Sequence, residues 1–371
     1  MKKRNRGNGD NTSEGSEPIN AIANRPKDNA LTQQRLPAIS PKYDTNTVLP
    51  FLLIVGILFI GIGVGVLITS LNIQENIIPY TDCENDMSKK CKDEIINQDA
   101  TKRDCNCKMY FNLTEDWEGE VLMYYGLKNF YQNHRLYVDS RNNDQLLGII
   151  NDYEDEDKYN KDKKLCAPFF NQSEKIYFPC GSIANSMFSD IISLHFINDT
   201  KVPLIRTGIA WKSDKENKFK NPDAATNAKE LQRLLEENNY TKPMHWKRNL
   251  WELDKDDWSN NGLNNEDLIV WMRTAALPDF RKLYRRLPDG LPKGNYYLDI
   301  EYNFEVASFN GEKDIVFTTQ SVLGGRNLFL GITYIVVGSF CTILGVVFLF
   351  VHLKWGSQIK KGQKTMQDLS R

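Results

Sequence analysis

VLPFLLIVGILFIGIGVGVLITSL at residues 48–71 and LFLGITYIVVGSFCTILGVVFLFVHL at 328–353 decide the fold of this chain. Neither stretch contains Lys, Arg, Asp or Glu, although the 371 residues include 47 basic and 48 acidic side chains. About 20 apolar residues are enough for a helix to cross the ~30 Å hydrocarbon core of a bilayer. The average hides this: a mean hydropathy of −0.50 describes the polar remainder and not the two spans. A purely soluble protein, a nucleic-acid binder and a many-helix transporter are thereby excluded. A cleaved signal peptide would be shorter and nearer the N-terminus. The first span follows 47 polar residues, so it reads as a signal-anchor helix.

Lys and Arg within fifteen residues of each span set the orientation. Arg35 and Lys42 precede the first span and Lys354, Lys360, Lys361 and Lys364 follow the second; on the inner sides only Lys313 and Arg326 occur. Six basic residues against two put both termini in the cytosol and residues 72–327 across the membrane. The tails agree, at net +3 for 1–47 and +4 for 354–371, against −8 for the loop. Residues 1–47, rich in Asn, Ser, Pro and charge, are expected to be disordered. Basic cytosolic tails suit anionic lipid headgroups or an acidic partner, though the topology rule alone accounts for them.

Cysteines and sequons point the same way. Cys83, Cys91, Cys105, Cys107, Cys166 and Cys180 fall in the loop, and Cys341 lies inside the second span. An even number in a non-cytosolic region favours disulfides. Cys105 and Cys107 on a strand point to one face, so joining them to each other would strain the backbone. If Cys166 and Cys180 close separately from the cluster of four, two connectivities remain for the cluster, and nested Cys83–Cys107 with Cys91–Cys105 suits an antiparallel hairpin better than the crossed one. Cys166–Cys180 closes a 15-residue loop, which stabilises by roughly 3 kcal/mol in the chain-entropy model. Zinc would want C-x2-C pairs, which the sequence lacks. Sequons at Asn112, Asn171, Asn198 and Asn239 are glycosylation candidates, whereas Asn11 stays on the cytosolic side.

The 256-residue loop is long enough for its own core and holds six of the seven tryptophans. Alternation and β-branched runs predict strands at Tyr110–Leu113, Glu120–Tyr125, Tyr296–Val306 and Ile315–Ser321. Asn221-Pro222 reads as a helix start, with Ala228, Leu231, Leu234 and Leu235 on one face. A second helix is predicted over Glu266–Leu277, stopped by Pro278, with a further turn through Phe280–Tyr284. The result is one β-rich domain with helical insertions.

Sites for chemistry are sparse. Asp257–Gly262 begins like a calcium loop, but its twelfth position is Leu268 where a bidentate Glu is needed, so it reads as a turn. The acidic run Asp152–Asp157 with the lysines after it reads as a solvated loop. The sequence has no GxSxG, HExxH, P-loop or Asp-Lys-Thr-Gly signature, and its four histidines stand apart. No catalytic residue, metal or cofactor is expected. The spans instead carry glycine: Gly61 and Gly65 in the first, with Gly63 between them, and Gly331, Gly338 and Gly345 at seven-residue intervals in the second. Small residues let another helix approach closely, either the other span or a separate protein.

YYGLKNFYQNHRLYVDSR (124–141), CGSIANSMFSD (180–190), GIAWKSDKENKFKNP (208–222), IVWMRTAALPDFRKLYRR (269–286) and GGRNLFLGITYIVVGS (324–339) resemble one family along both spans and the loop. It is the cell division control protein 50 family, also called the transmembrane protein 30 or ligand-effect modulator family. Its members are non-catalytic β-subunits of type IV P-type ATPases, the phospholipid flippases. The resemblance implies a membrane protein of two transmembrane α-helices with a disulfide-bonded, N-glycosylated ectodomain built on an antiparallel β-sandwich. It further implies a heterodimer with the ATPase catalytic subunit, surrounded by membrane lipids and without nucleic acid. Implied roles are folding, export from the endoplasmic reticulum and activity of that subunit, in endoplasmic reticulum, Golgi, endosomal and plasma membranes. In the most recognisable motif, Trp271, Phe280 and Tyr284 read as core, whereas Arg273 and Arg281 are candidates for the partner interface with the five glycines. The competing reading is a two-span ligand-gated channel or receptor with a cysteine-rich ectodomain.

Overall fold

The computed structural model describes residues 29–31, 33–37, 44–151, 153, 155–321 and 324–369, with the backbone alone at 46 and from 357 onward. The tail expected to be disordered over 1–47 lies mostly outside these residues. Two helices, Thr45–Leu71 and Leu328–Leu369, are long and apolar enough to cross a membrane, over Thr47–Leu71 and Leu328–Gly356. The second helix continues well past residue 353, because KWGSQIKKGQKTMQDL contains no proline to stop it.

The ectodomain strands are β1 (Glu75–Pro79), β2 (Asn106–Leu113), β3 (Val121–Lys128), β4 (Asn171–Gln172), β5 (Lys175–Tyr177), β6 (Ile191–Phe196), β7 (Tyr240–Thr241), β8 (Phe280–Leu287), β9 (Gly294–Glu301) and β10 (Glu312–Thr319). One sheet has the order β1-β10-β3-β8 and a second β2-β9-β6, both antiparallel throughout; β4, β5 and β7 form a small third sheet. The two large sheets share one core. Phe111 of β2 stacks on Phe317 of β10 across it, with ring centroids 5.5 Å apart. β2 shows the period-2 pattern of a strand with one covered face, burying Cys107 and Leu113 while exposing Lys108, Tyr110 and Asn112.

The two ends of the ectodomain are neighbours. β1 follows the first membrane helix and β10 leads to the second, and the two strands pair from Glu75↔Thr318 to Pro79↔Asp314. At the helix ends the Asn327 amide donates to the Ser70 hydroxyl at 2.8 Å. An antiparallel strand pair thus turns a chain that enters by one helix towards its exit by the other. Three disulfides, Cys83–Cys107, Cys91–Cys105 and Cys166–Cys180, cross-link the domain.

Several local expectations need correction. Phe280–Tyr284 is the first part of β8 and not a helical turn. Its pairing with β3 shifts register at Met123/Tyr124, and Tyr284 occupies the extra position of that bulge. The helix predicted to reach Leu277 ends at Met272, because the Lys282 ammonium takes the carbonyls of Val270, Trp271 and Arg273. Asn221 caps no helix: its side chain accepts from the Leu263 amide and donates to the Asn261 carbonyl. The helix starts instead at Ala228, where Asn227 accepts from the Glu230 amide, and it buries Leu231 and Leu235. The strand predicted over Tyr296–Val306 stops at Glu301, because the amides of Asn303 and Phe304 turn to the Asp190 carboxylate. Of the acidic run, 152 and 154 lie outside the described residues, and its end starts a helix, with Asp155 capping Glu156–Cys166. Asp257–Gly262 forms a 3-10 turn capped by Asp257, and Leu268 is buried.

Candidate partner-binding surface

The motif 269–286 folds as a short helix, Glu266–Met272, returning along β8. Its start is held by Asn265, which accepts from the Leu268 amide, and by Glu266, which accepts from the amides of Ile209 and Ala210 and from Lys215. Burial pushes the Glu266 carboxyl up, but those amides and the Lys215 ammonium outweigh it and hold it below its ordinary value. Its end is held by Lys282, whose burial pulls the ammonium down to about 7. Trp271 is fully buried, its indole N–H donating to the Ile183 carbonyl at 2.7 Å, and Tyr284 is buried as well.

Arg273 and Arg281 of this motif are exposed, whereas Arg285 is buried against Asp267. Arg273 donates to Asp214 at 3.0 Å and lies 4.1 Å over the ring of Trp211, itself 64% exposed. The Asp214 carboxyl is pushed up by burial, yet Lys218 and Arg273 bring it below its usual value. Arg281 donates to Glu75 at 2.6 Å. Beside it Gly126, the register partner of both Arg281 and Asp314, leaves room for the Asp314 side chain, whose carboxyl burial raises. Arg273 and Arg281 line one cleft together with Trp211, Asp214 and Lys282. Reading single arginines missed Trp211 and Asp214, although both stand in the GIAWKSD stretch.

The glycines separate into two sets. Gly331, Gly338 and Gly345 are buried. A Cβ on Gly331 would stand 3.0 Å from Leu67, and one on Gly345 2.7 Å from Leu53, so both face the first helix of the same chain. Gly63 faces the second helix in the same way, with Ile335 in the space of its missing side chain. Phe59 packs edge-on against Tyr334 nearby, at 5.2 Å. Gly61 and Gly65 point elsewhere: they are exposed, with open space where a Cβ would be. Of the sequons, Asn112, Asn198 and Asn239 are exposed and Asn171 is half-buried. Cys341 is unpaired and half-buried in its helix. Among the described residues, no cluster of three His, Cys, Asp or Glu side chains could hold a metal.

Two apolar helices closed by a disulfide-bonded antiparallel sandwich define an integral membrane protein with a large ectodomain. The family model for the LEM3 (ligand-effect modulator 3) family / CDC50 family matches residues 66–358, and the chain belongs to that family. Cell cycle control protein 50A of Mus musculus is 44% identical over 347 residues, covering 90% of this chain and 91% of the mouse protein. Cell cycle control protein 50B of Homo sapiens is 38% identical, covering 91% and 96%. ALA-interacting subunit 3 of Arabidopsis thaliana is 36% identical, covering 89% and 86%.

Proposed function

We propose that this chain is the non-catalytic β-subunit of a phospholipid-translocating type IV P-type ATPase. It is needed for folding, export from the endoplasmic reticulum and activity of the catalytic subunit. Family membership carries this reading, and the name of the Arabidopsis relative, an interacting subunit, supports it. In this arrangement both termini are cytosolic and residues 72–327 face the lumen or exterior, with glycans at Asn112, Asn171, Asn198 and Asn239. The complex works in endoplasmic reticulum, Golgi, endosomal and plasma membranes. The cleft with Trp211, Arg273 and Arg281 meets extracytosolic loops of the ATPase, since exposed aromatic and Arg side chains dominate interface energetics. Gly61 and Gly65 take a helix of the partner, because their side of the first span is open.

Affinity purification of the full chain in mild detergent tests this, with the expected product a complex with a polytopic ATPase. A homo-oligomer without such a partner overturns it. Gly61→Leu with Gly65→Leu should reduce recovery of the ATPase while the chain keeps its own stability. Gly331→Leu should instead destabilise the chain itself. Glycosidase treatment should shift the mobility of the loop, and loss of that shift in all four Asn→Gln variants checks the topology.

A further inference from the structure

A second cleft lies on the other side of the Glu266–Met272 helix, between it, β8 and the segments 187–191 and 245–248. Its cavity measures about 130 Å³ beneath a mouth open to solvent. Its charges do not balance. Two acids line it, and both are already engaged. Asp190 accepts from Lys313, Tyr80 and the amides of Asn303 and Phe304. Asp267 accepts Arg285 through both oxygens, at 2.6 and 3.2 Å. Among the described residues, three other cations of the lining have no carboxylate within ion-pair distance. Lys247 donates to two neutral groups, the Asn303 side chain and the Arg103 carbonyl. Among the described residues Arg206 and Arg248, both exposed, make no hydrogen bond or ion pair. Such an excess is unexpected in a loop whose net charge is −8.

The remaining lining is aromatic and aliphatic. Tyr125 and Phe188 stack face to face at 3.9 Å, Tyr284 stands edge-on to them, and Trp246 lies beside this group. Guanidinium groups bind phosphate oxygens in a planar fork, and a cleft with apolar walls strengthens that attraction. We infer that this cleft binds an organic phosphate, its phosphate held by Arg206, Arg248 and Lys247 and its apolar body against Tyr125, Phe188 and Tyr284. The inference is independent of the ATPase partner, because every group it uses belongs to this chain.

Fluorine NMR of 4-fluorophenyl phosphate with the purified full-length chain tests it. Saturable broadening of the probe is expected, with 4-fluorophenol at the same concentration unaffected. Arg206→Gln and Arg248→Gln should each weaken binding by about tenfold or more, the usual scale of a lost charge-assisted bond. Neither side chain makes a hydrogen bond or ion pair among the described residues, so both variants should unfold at the wild-type temperature, which separates a binding loss from misfolding. Competition then identifies the source of the phosphate. Displacement by a water-soluble short-chain phosphatidate, but not by equal inorganic phosphate, supports the site and assigns it to a lipid headgroup. Displacement by inorganic phosphate supports it and assigns it to a soluble phosphate. Absence of saturable binding, or equal binding to both Gln variants and the wild type, overturns the inference.

Discussion

The interior and the rim of the ectodomain use charge for opposite ends. Lys313 and Asp190 meet at 2.6 Å with neither side chain exposed, and Tyr80 and Tyr302 flank the ammonium. Burial pulls the Lys313 ammonium down to about 8 against the attraction of Asp190. At the rim, Arg273 and Arg281 keep half and 42% of their side-chain surface in water while paired to Asp214 and Glu75. A buried pair is costly to desolvate, and its usefulness is in fixing which elements meet. Asp190 binds a side chain after β1, two amides after β9 and the ammonium of β10, so one carboxylate registers both sheets. Rim pairs fix little and stay available for exchange with a partner.

Removing Asp190 gives the sharpest test of that contrast. Asp190→Ala strands the Lys313 charge and should cost about 3–5 kcal/mol, read by denaturant unfolding of the full chain through tryptophan fluorescence. Adding Lys313→Met should recover only part of the loss, because the amides of Asn303 and Phe304 still lack an acceptor. Full recovery would show that the carboxylate serves Lys313 alone. Next in size is Lys282→Met, which leaves the carbonyls at the end of the Glu266–Met272 helix without their donor. A loss of about 2–3 kcal/mol is expected, and a neutral outcome would place Lys282 with the rim charges.

The membrane spans and the β-rich ectodomain were legible because each rests on a pattern repeated over many residues. Twenty-odd apolar positions without a charge fix a span, alternation fixes β2, and β3 is a continuous apolar run buried on both faces. The cleft residues were less legible. Arg273 and Arg281 stand out in the motif, but Asp214 and Glu75, their acids, come from 59 and 206 residues away. Lys282 was invisible for a related reason. Its neighbours read as a helical turn until the pairing with β3 brings its ammonium under the preceding helix. The glycines were legible as small residues but not as two sets, since sequence spacing does not say which side of a helix the other span occupies. The two unpaired arginines of the second cleft had no signal, because being unpaired is a property of the folded surroundings.

Acid should loosen the anchor of the Glu266–Met272 helix. Glu266 has a folded pKa below its ordinary value, so the unfolded chain binds the proton more readily near pH 4.5. Its stabilisation is therefore complete above about pH 4.5 and disappears as pH falls through the folded pKa. Glu266→Gln should cost about 1–2 kcal/mol at pH 7. The gap from wild type in unfolding temperature should narrow below pH 4.5. A gap that stays constant down to pH 3.5 would mean that shape, not charge, is what the Ile209 and Ala210 amides recognise.

The smallest effect on stability should accompany the largest effect on assembly. Arg281→Ala removes a half-exposed pair and should change the stability of the chain by less than about 1 kcal/mol, within the range of surface ion pairs. Arg273→Ala also uncovers Trp211 and unpairs Asp214, so its cost should lie near the top of that range. If the rim is reserved for a partner, the double variant should fold, keep its disulfides and still lose most of the co-purifying ATPase. The interior variants should lose both together. A double variant that retains its partner at wild-type yield would reduce the rim arginines to ordinary surface charge. The interface would then have to rest on the glycine face of the first span.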